Sequence, residues 1–155
     1  MPQFNICVVR GTDYLNWRYF GNPAKPHTLV AYEQNNKLTG FAALQFSSDR
    51  CILFNFMVKR GPDRLKSFIA HLTEFAQMKS SAVLVGMMNP AGPYLKDFIH
   101  FGFIPTLRRK PFHIIAGRDE IADEVGRLRK WSITYSDLDL EYVGFDRQQS
   151  DATEP

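Results

Sequence analysis

The chain has 155 residues, 45% of them apolar and 23% charged. This excludes collagen-like, low-complexity and wholly disordered classes and fits one domain able to bury roughly 70% of its unfolded surface. Nineteen Lys plus Arg against sixteen Asp plus Glu leave a net charge of +3, too small an excess to imply a polyanionic partner without a clustered patch. No run approaches the roughly 20 apolar residues of a membrane-spanning helix, so no span is expected. The start Met1-Pro2-Gln3-Phe4-Asn5 lacks the basic and apolar regions of a secretory signal, and a cytoplasmic location is expected.

Cys7 and Cys51 lie in apolar stretches with no C-x-x-C and no neighbouring His pair, which predicts buried thiols and no metal site. Aromatic residues make up 14% of the chain and thirteen of them are Phe, the composition of a dense core.

In chain order, residues 4–9 read as a strand, ended by Arg10-Gly11-Thr12-Asp13, which also caps a helix. Tyr14 and Trp17, and Leu15 and Tyr19, then recur at helical spacing up to Gly21-Asn22-Pro23, and these aromatics are expected to dock on a sheet. Residues 29–32 and 38–46 form a hairpin around Gln34-Asn35-Asn36-Lys37, with Gly40 permitting a bend. Residues 51–58 are apolar except for Asn55, the pattern of a central strand covered on both faces.

Pro62 suits the first turn of a helix in which Leu65, Phe68, Ile69, Leu72, Phe75 and Ala76 share one face, with Arg64, Lys66, His71, Glu74 and Lys79 on the other. Residues 82–88 read as a buried parallel strand, which makes the strand–helix–strand unit a right-handed crossover. Asn89-Pro90-Ala91-Gly92-Pro93 is a loop, and Tyr94, Leu95, Phe98, Ile99 and Phe101 build a short helix stopped by Gly102. Residues 104–107 and 112–116 read as strands joined by Arg108-Arg109-Lys110-Pro111, a solvated hairpin end. A modest helix at 119–128, a last strand at 131–135 and a polar, disordered tail at 148–155 complete a single domain over 1–147.

The order hairpin, central strand, helix, strand, short helix and Gly102-Phe103 resembles the GNAT N-acetyltransferase superfamily over about residues 28–116. The most telling segments are Asn89 after a buried strand, the small-residue loop and the helix before Gly102-Phe103. The resemblance implies an α/β (α+β) fold, with a mixed, mostly antiparallel sheet, two central parallel strands splayed apart and helices on both faces. Acetyl-CoA or another acyl-CoA would lie in the opening between 51–58 and 82–88. A bulge in the first of these strands would free backbone groups of Met57 and Val58 for the pantetheine arm and an amide for the thioester oxygen. Asn55, the one polar side chain there, is either a substrate-facing or bulge residue, or a buried Asn bonded to backbone.

In the resembled family the pyrophosphate rests on small residues that open the following helix. Here that stretch is Lys59-Arg60-Gly61-Pro62-Asp63-Arg64, with a single Gly. Pro62 and Asp63 oppose the usual mode; Lys59, Arg60 and Arg64 either offer cationic contacts by side chain or belong to a solvated, capped helix that holds no ligand, and Asn89 is a further cofactor-binding candidate. The family's Tyr acid falls on Phe98, which carries no proton. Tyr94, one turn earlier, is the substitute, or else a core or groove-lining ring. Glu33, His71, His100 and His113 are the remaining candidates for a base; His71 and His100 match no family role, His113 faces either the groove or the core, and none is carried forward as the base.

Two functions therefore stand side by side. One is an N-acyltransferase passing an acyl group from acyl-CoA to the amine of a small molecule or peptide by direct attack. The other is a catalytically degenerate GNAT-fold module for binding or assembly, standing alone, as a homodimer, or paired with a second GNAT domain that supplies the wall missing from the short stretch 10–27. Nucleic-acid binding through Arg108-Arg109-Lys110 and Arg127-Arg129-Lys130 is unfavoured, because those residues lack interleaved aromatics.

Overall fold

The computed structural model describes residues 11–21, 27–59, 61, 63–92, 94–106, 127 and 134. The chain divides into two compact units, Met1–Val9 with Met88–Ser132 and Arg10–Met87 with Ile133–Pro155. The strands read at 4–9 and 112–116, the basic turn 108–111, the helix 119–128, the strand 131–135 and the tail 148–155 lie outside the described residues, Arg127 and Thr134 excepted.

Among the described residues the second unit is built on a four-stranded sheet in the order β1-β2-β3-β4. β1 (Thr28–Gln34) and β2 (Lys37–Phe46) pair antiparallel through a two-residue turn. Asn35 and Asn36 take φ of 54° and 57°, the left-handed pair that matches the twist of a tight hairpin and that Asn tolerates. Thr39 is the extra residue between the pairs Tyr32–Gly40 and Glu33–Leu38, and its hydroxyl donates to the Tyr32 carbonyl at 3.0 Å. Gly40, beside this bulge, also serves a close approach. A Cβ there would stand 2.8 Å from the Met57 carbonyl oxygen and 3.2 Å from the Val58 Cα.

β3 (Arg50–Val58) is central, antiparallel to β2 and parallel to β4 (Val83–Gly86). All of its residues from Cys51 to Phe56 are buried, as a strand flanked on both edges and covered on both faces requires. β4 is shorter and more open than the apolar run 82–88 predicts, and Val83 is 51% exposed. Hydrophobicity marks a strand but not where its pairing stops. The pair begins at Asp49, whose carbonyl accepts the N–H groups of Ala82 at 2.8 Å and Val83 at 3.3 Å.

α2 (Arg64–Met78) crosses between the parallel strands, burying Phe68, Ile69, Leu72 and Ala76. It starts two residues later than the Pro62 position implied, with Asp63 at the N-cap; Pro62 itself is outside the described residues. Phe68 meets Tyr32 and Phe56 at ring-centroid distances of 5.6 and 6.3 Å, so α2 covers the face that carries those two residues. The helix ends in a Schellman motif: the N–H of Ser80 reaches the Gln77 carbonyl and that of Ser81 the Ala76 carbonyl, at 2.8 and 3.0 Å, with Ser80 at φ 60°.

The opposite face carries α1 (Thr12–Leu15) and the π-helical turn Asn16–Phe20 that continues it. Tyr19 packs there with Ala43, Ile52 and Phe54, joined by Leu15 and Leu29. Only part of the expected aromatic docking occurs, since Trp17 and Phe20 are 66% and 70% exposed. The architecture of this unit is thus a mixed, mostly antiparallel sheet with helical segments on both faces.

In the other unit α3 (Leu95–His100) is closed as the Gly102 stop predicts. Gly102 has φ +93°, its N–H reaches the Ile99 carbonyl, and the N–H of Phe103 reaches the Phe98 carbonyl, both at 3.0 Å. The Phe98 and Phe103 rings, 4.8 Å apart, supply the apolar contact that accompanies this cap. Residues 104–106 form no strand and Ile104 is 87% exposed; Pro105 has no N–H to give a ladder. Leu107 lies outside the described residues.

Candidate functional site

The site is built around one irregularity in β3. Asn55 pairs with Ala43 and Leu53 with Leu44, so Phe54 is an extra residue, a β-bulge. Alternation along a strand sends successive side chains to opposite faces, and a bulge breaks that rule. Ile52 and Phe54 both pack with Tyr19, and Asn55 follows them to the same face, whereas Phe56 turns to α2.

The parallel ladder stops at the same level. Its rungs run Arg50–Val83, Cys51–Leu84, Ile52–Val85 and Leu53–Gly86. Past Leu53, β3 continues to Val58 with β2 as its ladder partner among the described residues.

Asn55 is fully buried, at 0% exposure. Its Nδ2–H donates to the Tyr19 hydroxyl at 3.0 Å, and its Oδ1 has no hydrogen-bond partner among the described residues. The His27 ring stands edge-on to Tyr19 at 5.2 Å and to Phe54 at 5.0 Å. Sequence reasoning missed Tyr19 and His27 as members of this cluster. No spacing signals a pair formed by Asn55 with a residue 36 positions away.

Beyond the bulge, Met57 is exposed and Val58 is buried. Lys59 is exposed, and its N–H donates to the Thr39 carbonyl at 2.7 Å. Arg60 lies outside the described residues. A Cβ on Gly61 would come within 2.9 Å of Arg64 Cδ and 3.0 Å of its Nε, atoms of a flexible side chain that can shift. The half-buried Arg64 side chain therefore folds back over Gly61, at the point where β3 leads into α2. The Arg64 N–H turns to the Gly61 carbonyl at 3.3 Å, and the exposed Asp63, at φ 60°, makes no side-chain cap.

Asn89, Tyr94 and Phe98 belong to the other unit. Asn89 is buried, and its Oδ1 accepts the Ala91 N–H at 3.0 Å while its carbonyl accepts the Gly92 N–H at 2.9 Å, closing the loop. Tyr94 is half-buried at the N-cap of α3, with its carbonyl accepting the Phe98 N–H at 3.0 Å. Phe98 is 1% exposed.

Cys51 is a buried free thiol, and burial pushes it up to about 11. His71 is exposed on α2, with its Nδ1 2.6 Å from the Ser67 carbonyl oxygen, and His100 is exposed beside Phe101. Among the described residues no helix is long and apolar enough to cross a membrane, and no three His, Cys, Asp or Glu side chains are grouped to hold a metal ion. Comparison of the chain with protein-family models, with curated proteins and with solved structures finds no match in any of the three.

Proposed function

We propose that the chain is a GNAT-like acyl-CoA-dependent N-acyltransferase, acting in the cytoplasm on the amine of a small molecule or peptide. The observation that carries this reading is the coincidence of the bulge at Phe54 with the end of the parallel ladder at Leu53 and Gly86. A sheet that stops pairing between two parallel strands leaves backbone donors and acceptors on one of them for an extended ligand, which is the strand-addition mode of recognition.

In this reading the amine adds to the thioester carbonyl carbon, the carbonyl electron pair moves to oxygen, collapse to the amide expels the thiolate, and the proton lost by the amine reaches the thiolate through water. The chain contributes a backbone N–H near the bulge to the developing oxyanion. Lys59, Arg60 and Arg64 hold phosphate by side chain, the mode left open where Asp63 and Pro62 occupy the helix entry. Met57 and Val58 line the arm. Asn55, being wholly buried, supports the bulge and does not itself meet solvent.

The alternative, a GNAT-fold module that binds or assembles without catalysis, draws on two observations. Asp63 places a carboxylate at the N-cap of α2, and the position of the usual acid is the buried Phe98. Isothermal titration with acetyl-CoA and longer acyl-CoA thioesters decides between them. Acyl transfer predicts a Kd below about 1 mM, weakened about tenfold or more in Arg64→Ala. Absence of heat at millimolar ligand would remove the acyltransferase and leave the module.

A further inference from the structure

The bulge needs a reason to persist, because an extra residue leaves the β2–β3 ladder locally incomplete. In an unbulged β3, side-chain alternation would turn Asn55 toward α2 and Phe68, away from Tyr19, and would send Phe56 to the opposite face. An amide buried there without a partner costs about 1–3 kcal/mol. In the bulged register, Asn55 instead meets the Tyr19 hydroxyl at 3.0 Å, inside the core. Tyr19 is itself fixed by Ala43, Ile52 and Phe54 and by the edge of His27. The hydrogen bond therefore exists in one register of β3 and not in the other.

We propose that Tyr19 is a positioning residue: through Asn55 it holds β3 in the bulged register that sets which backbone groups from Phe54 to Val58 face away from β2. Its catalytic consequence rests on the acyltransferase reading, whereas its structural consequence does not. Tyr19→Phe keeps the ring and its packing and removes only the hydroxyl. Asn55 then loses its partner, and the bulged register loses its advantage over the unbulged one.

The test combines amide hydrogen exchange with steady-state kinetics on the full chain, using acetyl-CoA and a panel of primary amines. In Tyr19→Phe, the amides of Phe54, Asn55 and Phe56 exchange about tenfold faster while those of Phe68 to Leu72 in α2 change by less than about twofold, the response of a local opening. kcat falls about tenfold with KM for the thioester unchanged. The double variant Tyr19→Phe/Asn55→Leu replaces both partners by apolar groups, so its denaturant midpoint recovers, while fast exchange and low kcat remain. The proposal is overturned if exchange accelerates equally in β3 and α2, if it does not change, or if kcat recovers together with stability in the double variant. If the wild-type chain neither binds nor turns over the thioester, the acyltransferase reading fails, and the exchange pattern alone still decides the role of Tyr19.

Discussion

Leu53 and Gly86 form the last rung of the parallel ladder, one residue before the bulged Phe54. A Cβ on Gly86 would meet Leu53 Cβ and Cδ2 at 3.7 Å, an ordinary contact. Gly86→Ala is therefore expected to leave unfolding free energy within about 1 kcal/mol of wild type. Gly40→Ala drives a Cβ toward the Met57 carbonyl and is expected to destabilise by about 1–3 kcal/mol. Urea titration of the two variants checks the contrast, and equal effects would show that β2 and β3 approach less closely than described.

The two Schellman ends give opposite outcomes. Gly102 at φ +93° has no Cβ to strain, so Gly102→Ala is expected to cost about 1–2 kcal/mol. Ser80 at φ 60° carries a side chain in the left-handed region, and Ser80→Gly is expected to stabilise by up to about 1 kcal/mol. Thermal midpoints moving in opposite directions would support both assignments.

Under the acyltransferase proposal, a Tyr placed at residue 98, where the resembled GNAT superfamily carries its acid, is not expected to act as one. Phe98 is 1% exposed and packs on Phe103, so Phe98→Tyr buries a hydroxyl beside an apolar ring, at about 1–3 kcal/mol if no partner is found. The expected result is lower stability and no gain in turnover, read by denaturation and a thiol-release assay. A rise in turnover would place residue 98 at the reacting group.

The Cys51 thiol is raised from about 9.0 to about 11 by burial. The folded state thus favours the protonated form more than the unfolded state does. The associated stability is present below pH 9 and is lost as pH rises through 11. In a Cys7→Ser background, thiol titration should be slow in the native chain at pH 8 and fast in denaturant, and Cys51→Ala should flatten the alkaline loss of stability. Rapid native labelling would contradict the burial of Cys51.

Local pattern carried much of the architecture. The Asn35-Asn36 turn, the apolar run of β3, the periodic face of α2 and the Gly102 stop are each set by residues within a few positions of one another, through left-handed tolerance, burial and helical periodicity. Those signals failed where they had no reach. The run 82–88 was apolar throughout, yet only Val83–Gly86 joined the ladder, and Trp17 shared the helical spacing of Tyr14 but stayed exposed.

The amino-acid order alone marked the strands and helices of residues 28–103, though not where β4 ends, and marked Asn55 as the one polar side chain within residues 51–58. The folded arrangement decided that β3 is bulged at Phe54, that its pairing with β4 stops at Leu53, and that Asn55 answers Tyr19. Register and partner choice depend on contacts between residues far apart in the chain, and no local preference contains them.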